Sequence, residues 1–447
     1  MGRKLMLLLG LVVCLLGLSG CVFGSVDEMY ALPKSSEAYV KLQSKINETK
    51  GSAEYIAPLS GDNRQTIQLV DVDGDGTQEA VAFFRDTTQE DPLNIVIFKQ
   101  DDQGEYKVYA RIAGMGNEIE SIDYLDLTEA KGRDILVSWQ VSASVHTLVG
   151  YTLADGQPVE IMRSGYGRYL TADMDGDERS EVILAQSESS SASQWRIEYY
   201  DGKDGGMELV SSAPLSEGAT DISAWTTGEL KGGVPALFVT SYLGKDVLVA
   251  DVFSMGEHGL KNIGLEEGER SSKNLFHYYA GVHPADINGD GLLEVPCEMR
   301  VAAYGDSSVD GFWWLKWKNY LPDGSSKTVM TTYHGGDGWY LEIPSAWTGV
   351  FSMNRQESST TGVRSVTFAR GVPDEESGKQ PEPFLVIRSL AGGDRAALAQ
   401  KEEGILLYED SSVLYTGEIL KSSWDCGLNE ESLKAAFHVV GEKRTGK

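Results

Sequence analysis

The sequence predicts a mainly β chain, a β-propeller of about five to seven blades followed by a smaller α+β C-terminal domain. One pattern carries most of that expectation. It reads Asp71-Val72-Asp73-Gly74-Asp75-Gly76-Thr77-Gln78-Glu79, returns as Asp173-Met174-Asp175-Gly176-Asp177-Glu178-Arg179-Ser180-Glu181, and again as Asp286-Ile287-Asn288-Gly289-Asp290-Gly291-Leu292-Leu293-Glu294. Apolar residues follow each copy, Ala80–Phe84 in the first and Val182–Leu184 in the second, and read as strands. The second observation is a period. Asp71, Asp126, Asp173, Thr226 and Asp286, taken as equivalent points, repeat roughly every 50 residues, which suits units of about four strands. Leu125-Asp126-Leu127 and Ala224-Trp225 mark the two units whose acidic loop has degenerated. Such a unit cannot bury both of its faces alone, so successive units must stack.

Within the pattern, oxygen-bearing side chains stand at positions 1, 3, 5 and 9 of every copy. Calcium is a hard cation that takes six to eight oxygens, and a tight loop can aim alternate residues at one point. Glycine at position 4 lets the backbone curl there. The candidate ligands are Asp71, Asp73, Asp75 and Glu79, then Asp173, Asp175, Asp177 and Glu181, then Asp286, Asn288, Asp290 and Glu294, with main-chain carbonyls from Thr77, Arg179 and Leu292. An EF-hand would need a bidentate Glu at position 12. Ala82, Leu184 and Cys297 stand there instead. The loops resemble those of FG-GAP or VCBS repeats in integrin-type propellers, where the acid at position 9 closes the site and a strand leaves it. The second copy departs from the pattern, with Glu178 at the position-6 glycine. An acidic Asp/Gly turn that binds no metal is the alternative.

The N-terminus reads as a targeting signal: Arg3 and Lys4, then an apolar run from Leu5 to Leu18, shorter than the roughly 20 residues of a membrane span. Leu18-Ser19-Gly20-Cys21 resembles the lipobox of bacterial lipoproteins. That resemblance implies cleavage after residue 20, lipidation of Cys21 with further acylation such as palmitate, and anchoring to the extracytoplasmic face of the cell membrane. An ordinary signal peptide is the alternative. The formal net charge is −28, and losing Arg3 and Lys4 would make it more negative. Such a chain is a poor partner for nucleic acid or anionic lipid surfaces, and well suited to cations. Cys297 and Cys426 are expected to be unpaired thiols, although an oxidising compartment would permit a disulfide.

Residues 21–55 are expected to hold a tether and one short helix, Ser36 to Lys50, with Tyr39, Leu42 and Ile46 on one face. The propeller is expected over residues 56–335. Its last unit contains the aromatic strand Phe312-Trp313-Trp314-Leu315-Lys316-Trp317, which is either core, a domain seam or a sugar-stacking platform. The α+β domain is expected over residues 336–447, with strands at Trp347–Met353, Val363–Phe368 and Pro383–Arg388 and a helix at Asn429–Val440. Alternatively, its first strands complete the propeller. The overall layout resembles Firmicutes lipoproteins that join a calcium-loop propeller to an extra C-terminal domain.

Catalytic motifs of the zincin, Walker or nucleophile-elbow types are missing from the sequence, and the six histidines are scattered. The expected function is therefore a non-enzymatic, lipid-anchored extracytoplasmic binding protein stabilised by calcium. Its partners would be the membrane through Cys21 and a protein or cell-wall glycan. The alternative is a glycan-binding or glycan-active protein using an aromatic surface near Trp314.

Overall fold

The computed structural model describes residues 37–440 apart from 188–193, 280, 359–361, 375, 394 and 402–403. Cys21, the apolar leader and Ser36 lie outside the described residues. Helix α1 spans Glu37–Lys50 and buries Leu42 and Ile46, one turn apart, while Tyr39 stays exposed.

Five sheets follow among the described residues. The first holds β1 (Glu54–Tyr55), β2 (Ile67–Val70), β3 (Glu79–Arg85), β4 (Leu93–Gln100) and β5 (Tyr106–Ala113). The second is a meander of β6 (Glu118–Leu125), β7 (Asp134–Ser142), β8 (Val145–Ala154) and β9 (Gln157–Tyr166). The third repeats it with β10 (Arg168–Ala172), β11 (Glu181–Ser187), β12 (Trp195–Lys203) and β13 (Gly206–Pro214). The fourth has β14 (Ile222–Leu230), β15 (Val234–Tyr242), β16 (Val247–Gly256) and β17 (Gly259–Asn262), with β18 (Leu275–His277) also on β16. The fifth begins as β19 (Val295–Ala303), β20 (Gly311–Tyr320), β21 (Ser326–His334) and β22 (Trp339–Glu342).

The second strand of each unit shows why the sheets stack in series. Side chains alternate across a strand, yet Ala80-Val81-Ala82-Phe83-Phe84 is apolar throughout, because both faces are covered. Val81 and Phe83 pack with Ile135, Val137 and Trp139 of the second sheet. Leu136 faces the other way, onto Val182 and Leu184 of the third. Ile183 meets Leu237 and Val239 of the fourth, and Phe238 meets Leu315 and Trp317 of the fifth. The two end faces are covered by other elements. Ala80, Ala82 and Phe84 pack under Leu42 and Ile46 of α1, and Trp314 packs with Met353, Phe368 and Phe384 from the C-terminal strands.

Those C-terminal strands extend the fifth sheet to ten. After β23 (Phe351–Glu357), β24 (Val363–Arg370) and β25 (Glu382–Ala391), helix α2 (Arg395–Lys401) leads into β26 (Ile405–Glu409) and β27 (Val413–Ile419). A short parallel pairing, Ala302 with Ser352, joins this meander to β19. The expected boundary at 335/336 thus falls between β21 and β22, which are paired through Tyr333 and Leu341.

Several expectations are corrected. Thr226 is not a loop position but lies inside β14; the equivalent connection is the tight turn Lys231–Gly233, closed by the Gly233 N–H donating to Leu230 O at 3.0 Å. The strand expected from Trp347 starts at Phe351, because Trp347 N–H closes a turn onto Pro344 O and its indole donates to Cys426 O at 2.8 Å. The last helix, α3, is only Glu430–Ala436. Phe437–Val439 then forms β28 against β22, and Phe437 stacks on Trp339 at 5.5 Å. Burial of that ring overrides the helical pattern. Asn429 caps α3 reciprocally with Ser432. Asn429→Ala is expected to cost about 1 kcal/mol in urea unfolding; an unchanged midpoint would remove the cap from the stability of this corner. Cys297 and Cys426 are free thiols, the second buried.

Candidate functional site

Each acidic loop leads into a strand of its sheet: β2 to β3, β10 to β11, and, in the fifth, from the Ala285–Glu294 bridge into β19. The position-9 acid opens that strand and is fully buried, with Glu79, Glu181 and Glu294 each at 0% exposure. One of its oxygens accepts the N–H of position 2: Val72 at 3.1 Å, Met174 at 2.6 Å and Ile287 at 2.9 Å. The degenerate second unit keeps this bond, with Asp134 Oδ2 accepting from Leu127 N–H at 3.1 Å. There, however, Thr128 and Ala130 replace the outer acids, and Arg133 pairs with Asp126 at 2.6 Å.

The position-1 aspartate folds over the loop. Asp71 accepts from Asp75 and Gly76, Asp173 from Gly176 and Glu178, and Asp286 from Gly289 and Gly291, at 2.7–3.1 Å. Glycine at position 4 has φ of 70°, 84° and 80°, the left-handed region. Position 6 is left-handed too, at 90° in Gly76, 87° in Gly291 and 71° in Glu178. Glu178 therefore departs from the pattern in residue type, not in loop shape. The N–H of position 7 (Thr77, Arg179, Leu292) donates to the position-5 carboxylate at 2.7, 2.8 and 3.0 Å.

The loops differ in what they gather. In the second, Asp173, Asp175, Asp177 and Glu181 each bring a carboxylate oxygen within 4.8 Å of the others. In the first, Asp71, Asp73 and Glu79 do so, while Asp75 turns to Lys99 Nζ at 2.7 Å. In the third, Asn288 Nδ2 donates to both Asp290 and Glu294 at 3.1 Å. Glu181 Oε1 and Glu79 Oε1 are buried without a hydrogen bond. An unsatisfied buried acceptor of this kind costs about 1–3 kcal/mol, more when charged. Oxygen-only donors with an orphaned carboxylate fit a hard metal ion, and these acidic clusters could hold one.

The electrostatics agree. Burial first, then Asp175 and Asp201, pushes Glu181 up to about 7; burial with Asp290 and Asp286 does the same to Glu294. Burial and Asp73 raise Glu79 as well. Asp75 is held down at about 2, by Lys99 first and then the Thr77 amide. Lys99, against the downward pull of its burial, is held high by Asp73 and Asp75.

Sequence reasoning missed Lys99, Tyr199, Asp201 and Asn319. All four lie on the strand that pairs with the one the position-9 acid leads into (β4, β12 and β20), where Tyr199 and Asp201 act on Glu181 and Asn319 on Glu294 only once the strands pair. Of the readings open for the aromatic row, burial favours core: Trp314 and Trp317 are 3% and 2% exposed, on opposite faces of β20. Only Trp313 is half-exposed, lying 4.8 Å from His277.

The fold and site define a mainly β protein of serially packed sheets with buried-acid loops. The chain matches no family model, and no curated protein matches it. Among solved structures it is similar to a Lactobacillus plantarum protein (10% identity, 79% of this chain and 81% of that one, TM-score 0.25). Sqt1 from Chaetomium thermophilum gives 10% identity, 79% and 95% coverage and a TM-score of 0.28. A rhamnogalacturonan lyase from Bacillus licheniformis gives 11%, 73% and 73%, and 0.27. At these scores none of them bears on activity.

Proposed function

We propose that the protein is a calcium-stabilised, non-enzymatic binding module, anchored through lipidated Cys21 to the extracytoplasmic face of the cell membrane. Its partner is a protein or cell-wall glycan. In this reading the five sheets are propeller-like blades whose end faces are covered by α1 and by a C-terminal α+β region. The observation that carries the calcium reading is Glu181, a fully buried carboxylate with one unsatisfied oxygen, ringed by Asp173, Asp175 and Asp177. Three acids at that spacing repel one another unless a cation lies between them. The metal's role is structural: it ties β10 to β11 at the edge of the stack. The lipobox resemblance at Leu18–Cys21 supports the anchor, and the acidic charge supports a cation ligand.

The test is thermal unfolding of residues 22–447 in EGTA and then with calcium. Calcium at a hundredfold its dissociation constant is expected to add about 2.7 kcal/mol per site, and Asp175→Ala should remove one site's share. A melting temperature indifferent to calcium would leave the loops as acidic turns. Mass spectrometry of the membrane fraction checks the anchor, which predicts a lipid-modified Cys21 that Cys21→Ser abolishes.

A further inference from the structure

The residue that distinguishes the three loops sits across the sheet from the position-9 acid. Ala80 pairs with Phe98, so the next step along the hairpin sets Glu79 beside Lys99. Val182 pairs with Tyr200 in the third sheet, which sets Glu181 beside Asp201. Val295 pairs with Lys318 in the fifth, which sets Glu294 beside Asn319. One structural position thus carries a cation, an anion and an amide.

In the first loop the consequence is direct. Lys99 Nζ contacts Asp73 Oδ2, lies 2.7 Å from Asp75 Oδ2 and stands 3.8 Å from Glu79 Oε1. It reaches acids at positions 3, 5 and 9, three of the four that would surround a metal. Its side chain is 26% exposed, and Tyr109 flanks the ammonium at 5.3 Å, so the stem is fixed. In the second loop Arg179 reaches one of the four acids, Asp177 Oδ2 at 2.6 Å, and otherwise pairs with Glu129 at 3.5 Å, while Glu181 Oε1 is buried without a hydrogen bond.

We propose that Lys99 is the first loop's own cation, tethered where a metal would sit, and that this loop excludes calcium while Asp201 gives the second loop an additional ligand. The proposal rests on the calcium reading above. It makes the three similar loops unequal: the first is closed permanently by an internal ion pair, and the second takes the free ion most tightly. The N-terminal sheet is then locked at any calcium level, whereas the third and fifth respond to it.

Isothermal titration of calcium into the full, calcium-stripped chain tests this. The native chain is expected to bind two ions, Lys99→Gln three, and Lys99→Arg two, because arginine keeps the charge. Asp201→Asn should weaken the tighter site by tenfold or more. Three ions in the native chain, or an unchanged count in Lys99→Gln, would overturn the role of Lys99. Unaltered affinity in Asp201→Asn would overturn that of Asp201. No binding by any variant would instead sink the calcium reading beneath both. Should Lys99→Gln unfold without calcium, circular dichroism replaces the count: recovery of the β spectrum on adding calcium supports the exchange of ammonium for metal, and failure to recover refutes it.

Discussion

Trp317→Ala is expected to lower the unfolding free energy by about 3–5 kcal/mol, the usual range for truncating a buried tryptophan, whereas Trp313→Ala should fall within about 0.5 kcal/mol of the native chain. Trp317 is 2% exposed between the fourth and fifth sheets, packed with Phe238, Val252 and Tyr320. Its indole N–H donates to Thr332 Oγ1 at 2.8 Å, so truncation also strands a buried hydroxyl. Guanidinium unfolding followed at two wavelengths measures both variants. Equal, small effects would mean that the aromatic strand is not a core element and would return it to the surface as a platform. The same pair of variants therefore separates the two readings that the sequence left open.

That ambiguity has a physical origin. Phe312-Trp313-Trp314-Leu315-Lys316-Trp317 is apolar on both of its alternating faces, and sequence cannot say how many neighbours cover a strand. Here two do. The fifth sheet is packed by the fourth on the Leu315–Trp317 side and by the C-terminal meander on the Phe312–Trp314 side. The acidic loops were legible because they are local: position 1 accepts from positions 4 to 6 and position 9 from position 2, all within nine residues. Lys99, Asp201 and Asn319 were not, since their relation to the loops exists only through hairpin register. Thr226 misled for a related reason. With no acidic loop to mark the turn, the period was carried forward by spacing alone, and Gly232-Gly233 does the work that nine residues do elsewhere.

The end of the chain shows the opposite failure. Leu433, Ala436, Phe437 and Val440 keep helical spacing, and Asn429 gives a capped start, so local signals favour one long helix. Leu341 and Trp339 offer an edge strand and an aromatic face, and the pairing of Phe437 with Leu341 wins. A helix of seven residues has little cooperative strength of its own to resist that competition.

Lowering the pH from 7 to 4 should expose a second buried liability, in His334. Its ring is 9% exposed, stacked on Tyr340 at 5.2 Å and flanked by Tyr279 at 5.6 Å, with Nε2 buried and unpartnered. Tyr340 in turn stacks on His438, whose Nε2 is 2.9 Å from Glu342. Burial pushes the His334 imidazole down to about 4. The unfolded chain takes up its proton near the ordinary value of about 6.5. Above that pH both states are neutral and the full stability is present. As the pH falls below it, the unfolded state gains a proton that the folded state refuses, so stability is lost towards pH 4 and the loss then levels off. At 1.36 kcal/mol per unit, the step from 6.5 to about 4 gives His334 a share of about 3 kcal/mol. His334→Gln removes the titrating group, so the difference in unfolding free energy between native and variant should shrink by that amount between pH 7 and pH 4. Carboxylates common to both chains cancel in the difference. A pH-independent difference would mean that the ring accepts its proton in place, and that the Tyr279–Tyr340 pocket opens to water at no cost.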